Sequence, residues 1–166
     1  MRVQVVYTSR TGNTERLAKE IFAAVSVKEK NIKRIEERTE RDDGDMYMVG
    51  FWADRGTASA EILDLLSSLH GKKVALFGTC GMGQDAEYYR RIENNVAAFI
   101  PEDCEYSGAF FCQGKMPFQV RKRYEDMRNP ENSGMIDRMI QNFDRALLHP
   151  DKKDFAAAAD FVRSLF

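Results

Sequence analysis

Histidine occurs twice, proline four times, cysteine three times and tryptophan once in 166 residues, and each scarcity closes off a class of function. The two histidines, His70 and His149, lie at a helix end and just before Pro150, where capping or filling space explains them better than proton transfer. Cys80, Cys104 and Cys112 are odd in number and lack CxxC spacing, so neither a disulfide framework nor a cysteine-rich zinc site is suggested. No apolar run is long enough to span a bilayer, and the opening MRVQVVYTS carries no small-residue cleavage signal. A cytoplasmic protein is therefore expected. An excess of positive charge is also missing. Lys plus Arg number 25 against 26 Asp plus Glu, a net charge of -1, which argues against a nucleic-acid partner. There is no GxGxxG and no lysine after a second glycine, so the dinucleotide fingerprint and the Walker A loop are both absent. Repeats and low-complexity segments are absent as well.

What is present is a chain of one-domain size, residues 1–166, with 43% hydrophobic and 31% charged residues, as a soluble globular protein requires. β-Prone runs recur at Val3–Tyr7, Asp45–Phe51, Lys73–Thr79 and Ser107–Cys112. They are apolar at consecutive positions, as strands buried on both faces are. Asn31–Ile35 is a sparser candidate and is assigned to a sheet edge. Between the strands, Leu17, Ile21, Ala24 and Val25 share one helical face, as do Ile62, Leu65, Leu66 and Leu69. A third helix is predicted over residues 85–100 and a last one over Asp151–Phe166, with Asp151 as its cap. The alternation predicts an α/β sandwich with parallel crossovers. Residues 114–148 interrupt it with two more helix candidates, Phe118–Met127 and Met135–Leu148, forming a helical insertion before the last helix.

The first strand runs directly into Thr8-Ser9-Arg10-Thr11-Gly12-Asn13-Thr14, after which a helix begins. The first amides of a helix lack intrahelical partners and carry the positive end of its dipole, and the neighbouring hydroxyls add donors. A metal-free cradle for a monophosphate is the chemistry that fits. The plain alternative is that Thr11 or Asn13 only caps the helix and Gly12 only makes a turn. Ser9-Arg10-Thr11-Gly12-Asn13-Thr14 after a first strand resembles the flavin mononucleotide (FMN) phosphate loop of the flavodoxin family. That resemblance implies a doubly wound sandwich with a five-stranded parallel sheet of order 2-1-3-4-5. It also implies Ser9, Thr11, Asn13 and Thr14 as side-chain ligands of the phosphate, with Arg10 and Gly12 contributing backbone.

The same resemblance implies that the flavin ring lies between the segments GFWADRGT and GTCGMGQD. In the first, Trp52 is the expected ring contact and Phe51 is partly core; core packing is the alternative for either ring. The small residue beside the ring is Ala53, which resists positive φ, so a carbonyl flip toward reduced flavin is not expected there. In the second, Thr79, Cys80, Gly81, Met82 and Gly83 are the candidate contacts. Tyr88 and Tyr89 fall inside the third helix. The insertion could cover the ring or dock a partner, and its Arg121, Lys122 and Arg123 read first as a solvated face. A catalytic cysteine is not expected. GFWADRGTA, LFGTCG and FFCQGK also resemble a flavodoxin-like subfamily found with bilirubin reductase. The implied function is FMN-dependent electron transfer to a partner reductase. A small FMN-dependent oxidoreductase acting on a quinone or tetrapyrrole is the alternative, and a fold that has lost its cofactor ranks last. The balanced charge departs from the strongly acidic surface of carrier flavodoxins.

Overall fold

The computed structural model describes residues 1–83 and 85–166. Five strands form one sheet: β1 (Val3–Tyr7), β2 (Lys30–Arg34), β3 (Met46–Trp52), β4 (Lys73–Cys80) and β5 (Glu105–Gln113). They pair in the order β2-β1-β3-β4-β5, and all are parallel. The helices are α1 (Asn13–Ala24), α2 (Ala60–Ser68), α3 (Ala86–Ala97), α4 (Phe118–Met127), α5 (Ser133–Ala146) and α6 (Lys152–Arg163), with a short 3-10 turn at Ile35–Glu37.

Consecutive strand residues are buried on opposite faces, which is why the central strands read as unbroken apolar runs. Val5, Met48 and Phe77 pack with Leu17, Ile21, Ala158 and Val162 of α1 and α6. Val6, Val49, Phe51 and Leu76 pack on the other side with Ile62, Leu66, Ile92 and Val96 of α2 and α3. Each such aliphatic side chain, fully withdrawn from water, contributes about 1.5–3 kcal/mol. β2 is an edge strand, and all five of its residues are only partly buried. That partial burial is why its sequence lacks a clean apolar period.

The helical insertion stands where the sequence places it. α4 has the expected bounds, and α5 begins at Ser133 and ends at Ala146, two residues earlier at each end than expected. α5 buries Ile136, Phe143 and Ala146, whereas α4 buries no residue. Arg121 of α4 joins the two helices by pairing with Asp144, lies 5.9 Å from the centre of the Phe143 ring, and also reaches Glu125 at 3.3 Å. Lys122 and Arg123 are exposed. Asp151 caps α6 as expected: its Oδ1 accepts from the amides of Lys153 at 2.9 Å and Asp154 at 3.0 Å, while Asp154 Oδ2 accepts from the Asp151 amide at 2.8 Å.

Candidate cofactor site

Three loops leave the carboxyl ends of β1, β3 and β4 at the same edge of the sheet, beside the point where strand order reverses. The first is the hydroxyl-rich turn. Gly12 sits at φ 91°, a left-handed conformation that lets the chain enter α1 abruptly. Ser9 Oγ lies at the base of the turn and accepts from the amides of Gly12 and Glu15, both at 3.2 Å. Among the described residues, the amides of Thr11, Asn13 and Thr14 have no hydrogen-bond partner. Arg34, at the end of β2, braces the turn from below: it donates to the Ser9 carbonyl at 2.7 Å and to Glu15 at 2.7 Å.

The side chains of this loop divide their work differently from the expectation. Asn13 spends both amide hydrogens within the protein, on Thr11 Oγ1 at 3.2 Å and on the Lys115 carbonyl at 2.9 Å. Its backbone amide is therefore what it has left for an anion. Thr14 is buried and shares a hydrogen bond of 2.9 Å with Thr79, which ties the first loop to β4 and leaves one hydroxyl hydrogen between them uncommitted. Thr11 is exposed, and its hydroxyl hydrogen is free. A cleft of about 280 Å³ beside the loop is lined by Thr11, Gly12, Asn13, Arg16, Lys19 and Lys115. Glu15 remains ionised there, because Lys19 first, and then Arg34, hold its carboxyl below the ordinary range. The surroundings of the loop are thus cationic overall, as a phosphate needs.

In the second loop Phe51 and Trp52 part company. Phe51 is completely buried and meets Phe111 edge-on at 5.8 Å, so its side chain belongs to the core and presents no face to a ligand. Trp52, the last residue of β3, is half-buried, and the Arg10 guanidinium lies 5.8 Å above its ring. Ala53 has no positive φ, in keeping with its side chain. Ala53 donates its amide to the Thr79 carbonyl at 2.8 Å and continues the strand geometry. The residues with positive φ are Arg55 at 53° and Gly56 at 79°, held between the paired backbones of Asp54 and Thr57. Conformational freedom in this loop is therefore centred two to three residues further along than Ala53.

In the third loop the Cys80 thiol is buried and donates to the Met82 carbonyl at 3.1 Å. Burial pushes that thiol up to about 12 and moves Cys112 further in the same direction. Neither cysteine is a nucleophile at neutral pH. Gly81, Met82 and Gly83 have amides without partners among the described residues, and Met82 exposes its side chain. His70 pairs with Asp103 at the surface, and His149 Nδ1 lies 2.6 Å from Asp154 in the α6 cap, so neither histidine belongs to the three loops.

Sequence reasoning missed three residues: Arg34 below the first loop, and Gln113 and Asn142 beside the third. Gln113 and Asn142 converge on the Gly81 carbonyl from β5 and α5. No local pattern announces contacts between residues so far apart in the chain. The fit to a phosphorylated flavin is nonetheless good on the structure's own terms. Unpaired amides surround the strand-to-helix turn, an aromatic ring flanks it, and a glycine-rich backbone with free amides lies opposite.

Comparison with known proteins finds the same fold. The "Flavodoxin-like domain-containing protein BilS" of Clostridium symbiosum is 36% identical over 183 residues, covering 99% of this chain and 95% of that protein. A flavodoxin structure from Streptococcus pneumoniae TIGR4 superposes with a TM-score of 0.61 at 15% identity, covering 99% of this chain and 97% of the other. A Lactobacillus acidophilus flavoprotein in complex with FMN superposes with a TM-score of 0.51 at 14% identity, covering 67% and 93%. The family model described as Flavodoxin domain matches residues 4–163, and the chain belongs to that family.

Proposed function

We propose that this protein binds FMN across the three loops and carries electrons to a separate redox partner. The observation that carries the reading is the group of unpaired amides at Thr11, Asn13 and Thr14, gathered at the positive end of α1 beside uncommitted hydroxyl hydrogens of Ser9 and Thr11. These groups hold the phosphate. Trp52 stacks on the flavin ring, with Arg10 swinging aside or covering the outer face. The Gly81–Gly83 amides meet the pyrimidine edge. Bound FMN supplies the electron chemistry, and the chain binds, orients and shields it.

The carrier reading is favoured over a stand-alone enzyme by the shape of the insertion. The cleft that the insertion forms with the third loop, lined by Gly83, Gln113, Asn142, Arg145, Leu148 and His149, holds about 130 Å³. Pockets that bury a drug-sized ligand run to roughly 300–1,000 Å³. The acceptor is then an enzyme that houses its own substrate, and the resemblance to the subfamily found with bilirubin reductase suggests a tetrapyrrole-reducing one. The test is a titration of purified protein with FMN, followed by visible absorbance and quenching of flavin fluorescence, then by turnover with and without a partner reductase. Uptake of FMN with turnover only when the partner is present is expected. Failure to take up FMN would end this reading, and quinone or tetrapyrrole reduction by the protein alone would transfer it to the enzyme class.

A further inference from the structure

The third loop is not free to choose its own shape, because the insertion grips it. The Gly81 carbonyl accepts two side-chain hydrogen bonds, from Gln113 Nε2 at 2.8 Å and from Asn142 Nδ2 at 3.0 Å. Gln113 Nε2 also lies 3.1 Å from Asn142 Oδ1, so the two amides orient one another. Gln113 is 6% exposed, which shelters this knot from competing water. Met116, on the way into the insertion, closes over the same glycine: a β-carbon at position 81 would stand 2.4 Å from its sulfur.

We infer that Asn142 is a positioning residue of the cofactor site, and that through it α5 sets the plane of the peptide that faces the flavin ring. A carbonyl oxygen offers two lone pairs, and both are engaged on the side of β5 and α5. In a trans peptide the N–H points opposite the C=O, so the Met82 amide is directed away from β5. β4 lies between β5 and β3, and Trp52 ends β3. The Met82 N–H, which has no partner among the described residues, is thereby turned to the side where the ring would lie against Trp52. Without the Asn142 side chain, the Gly81 carbonyl keeps only Gln113, which itself loses the bond to Asn142 Oδ1, and the Gly81–Met82 peptide is held less firmly. This inference rests on the FMN reading and extends it to an element outside the three loops.

The decisive variant is Asn142→Asp, which keeps the shape but replaces the donor with a carboxylate facing a carbonyl. Asn142→Ala is its companion. Affinities for FMN, for riboflavin and for inorganic phosphate are measured by fluorescence and calorimetry, together with the visible spectrum of the bound flavin. Both variants are expected to bind FMN and riboflavin about tenfold more weakly and to shift the flavin absorption bands, with phosphate binding unchanged. Wild-type affinity and an unshifted spectrum in Asn142→Asp overturn the inference while leaving the FMN reading intact. Absence of FMN uptake by the wild-type protein sinks both. Should neither variant fold, amide exchange of the wild-type protein decides: FMN is expected to slow exchange across residues 133–146, and unchanged exchange there overturns the inference.

Discussion

Replacing Gly12 with alanine separates the geometry of the first loop from everything else the fold does. Gly12 lies at φ 91°, and a β-carbon built on it meets nothing within 4 Å, so the substitution adds no collision. What remains is the left-handed backbone, which costs an L-residue about 1–2 kcal/mol. The free loop can shed part of that strain, because the Gly12 amide itself is fastened only at 3.2 Å to Ser9 Oγ and the neighbouring Arg10 and Thr11 are exposed. Binding a phosphate restores the wild-type turn and with it the strain, so FMN affinity should fall roughly 5- to 30-fold. Riboflavin, lacking the phosphate, should lose much less. A matched control exists in Gly71, at φ 65° and also without neighbours within 4 Å, but in the turn between α2 and β4 at the opposite end of the sheet. Gly71→Ala carries comparable strain, which should appear as a melting temperature lower by about 2–8 °C and leave FMN affinity alone. The assay is fluorescence titration of both variants with FMN and riboflavin beside thermal melts. Equal FMN affinities in the two variants, or equal loss of FMN and riboflavin in Gly12→Ala, would refute the argument that this turn grips the phosphate.

Three further outcomes are expected. Trp52→Ala should weaken flavin binding by about 1–3 kcal/mol through lost stacking, measured by titration; unchanged affinity would remove Trp52 from the site. At pH 8 a neutral thiol reagent should modify partly exposed Cys104 before buried Cys80, whose thiol is pushed up to about 12 by burial, and mass spectrometry showing Cys80 labelled equally fast would contradict that placement. Asp42 is held down to about 2 by the Lys33 ammonium and by the amide and hydroxyl of Thr39, so it stabilises the edge strand fully above its ordinary value of 3.8 and loses that contribution as pH falls toward about 2. Asp42→Asn should flatten this acid limb in melts between pH 5 and 2, and an unchanged limb would show the ion pair to be irrelevant.

The central strands and the first loop were legible because their causes are local. β1 must be apolar on both faces, and the turn after it needs a glycine at positive φ and short polar side chains. α4 was legible within its exact bounds although it buries nothing, since Pro117 sets its start and Asn129-Pro130 follows its end. Alanine's aversion to positive φ is legible at Ala53, but where the loop does adopt positive φ is not. The hairpin-like pairing of Asp54 with Thr57 instead moves the positive φ angles to Arg55 and Gly56. The resemblance implies Asn13 as a side-chain ligand by its position in the loop, whereas its side-chain donors are spent on Thr11 and the Lys115 carbonyl. Lys115 is 102 positions away, and no periodicity encodes such a contact.

Charge shows the same division between sum and arrangement. A net charge of -1 gives no reason to expect an anion site. Around the first loop, however, the structure gathers Arg16, Arg34, Lys19 and Lys115, with Glu15 already engaged by two of them. Arg10 adds a cation 5.8 Å from the Trp52 ring. At separations of several ångströms and partial burial, such charges act on a phosphate far more strongly than distant surface carboxylates screened by salt. The phosphate is therefore favoured by the local field even though the chain as a whole is balanced.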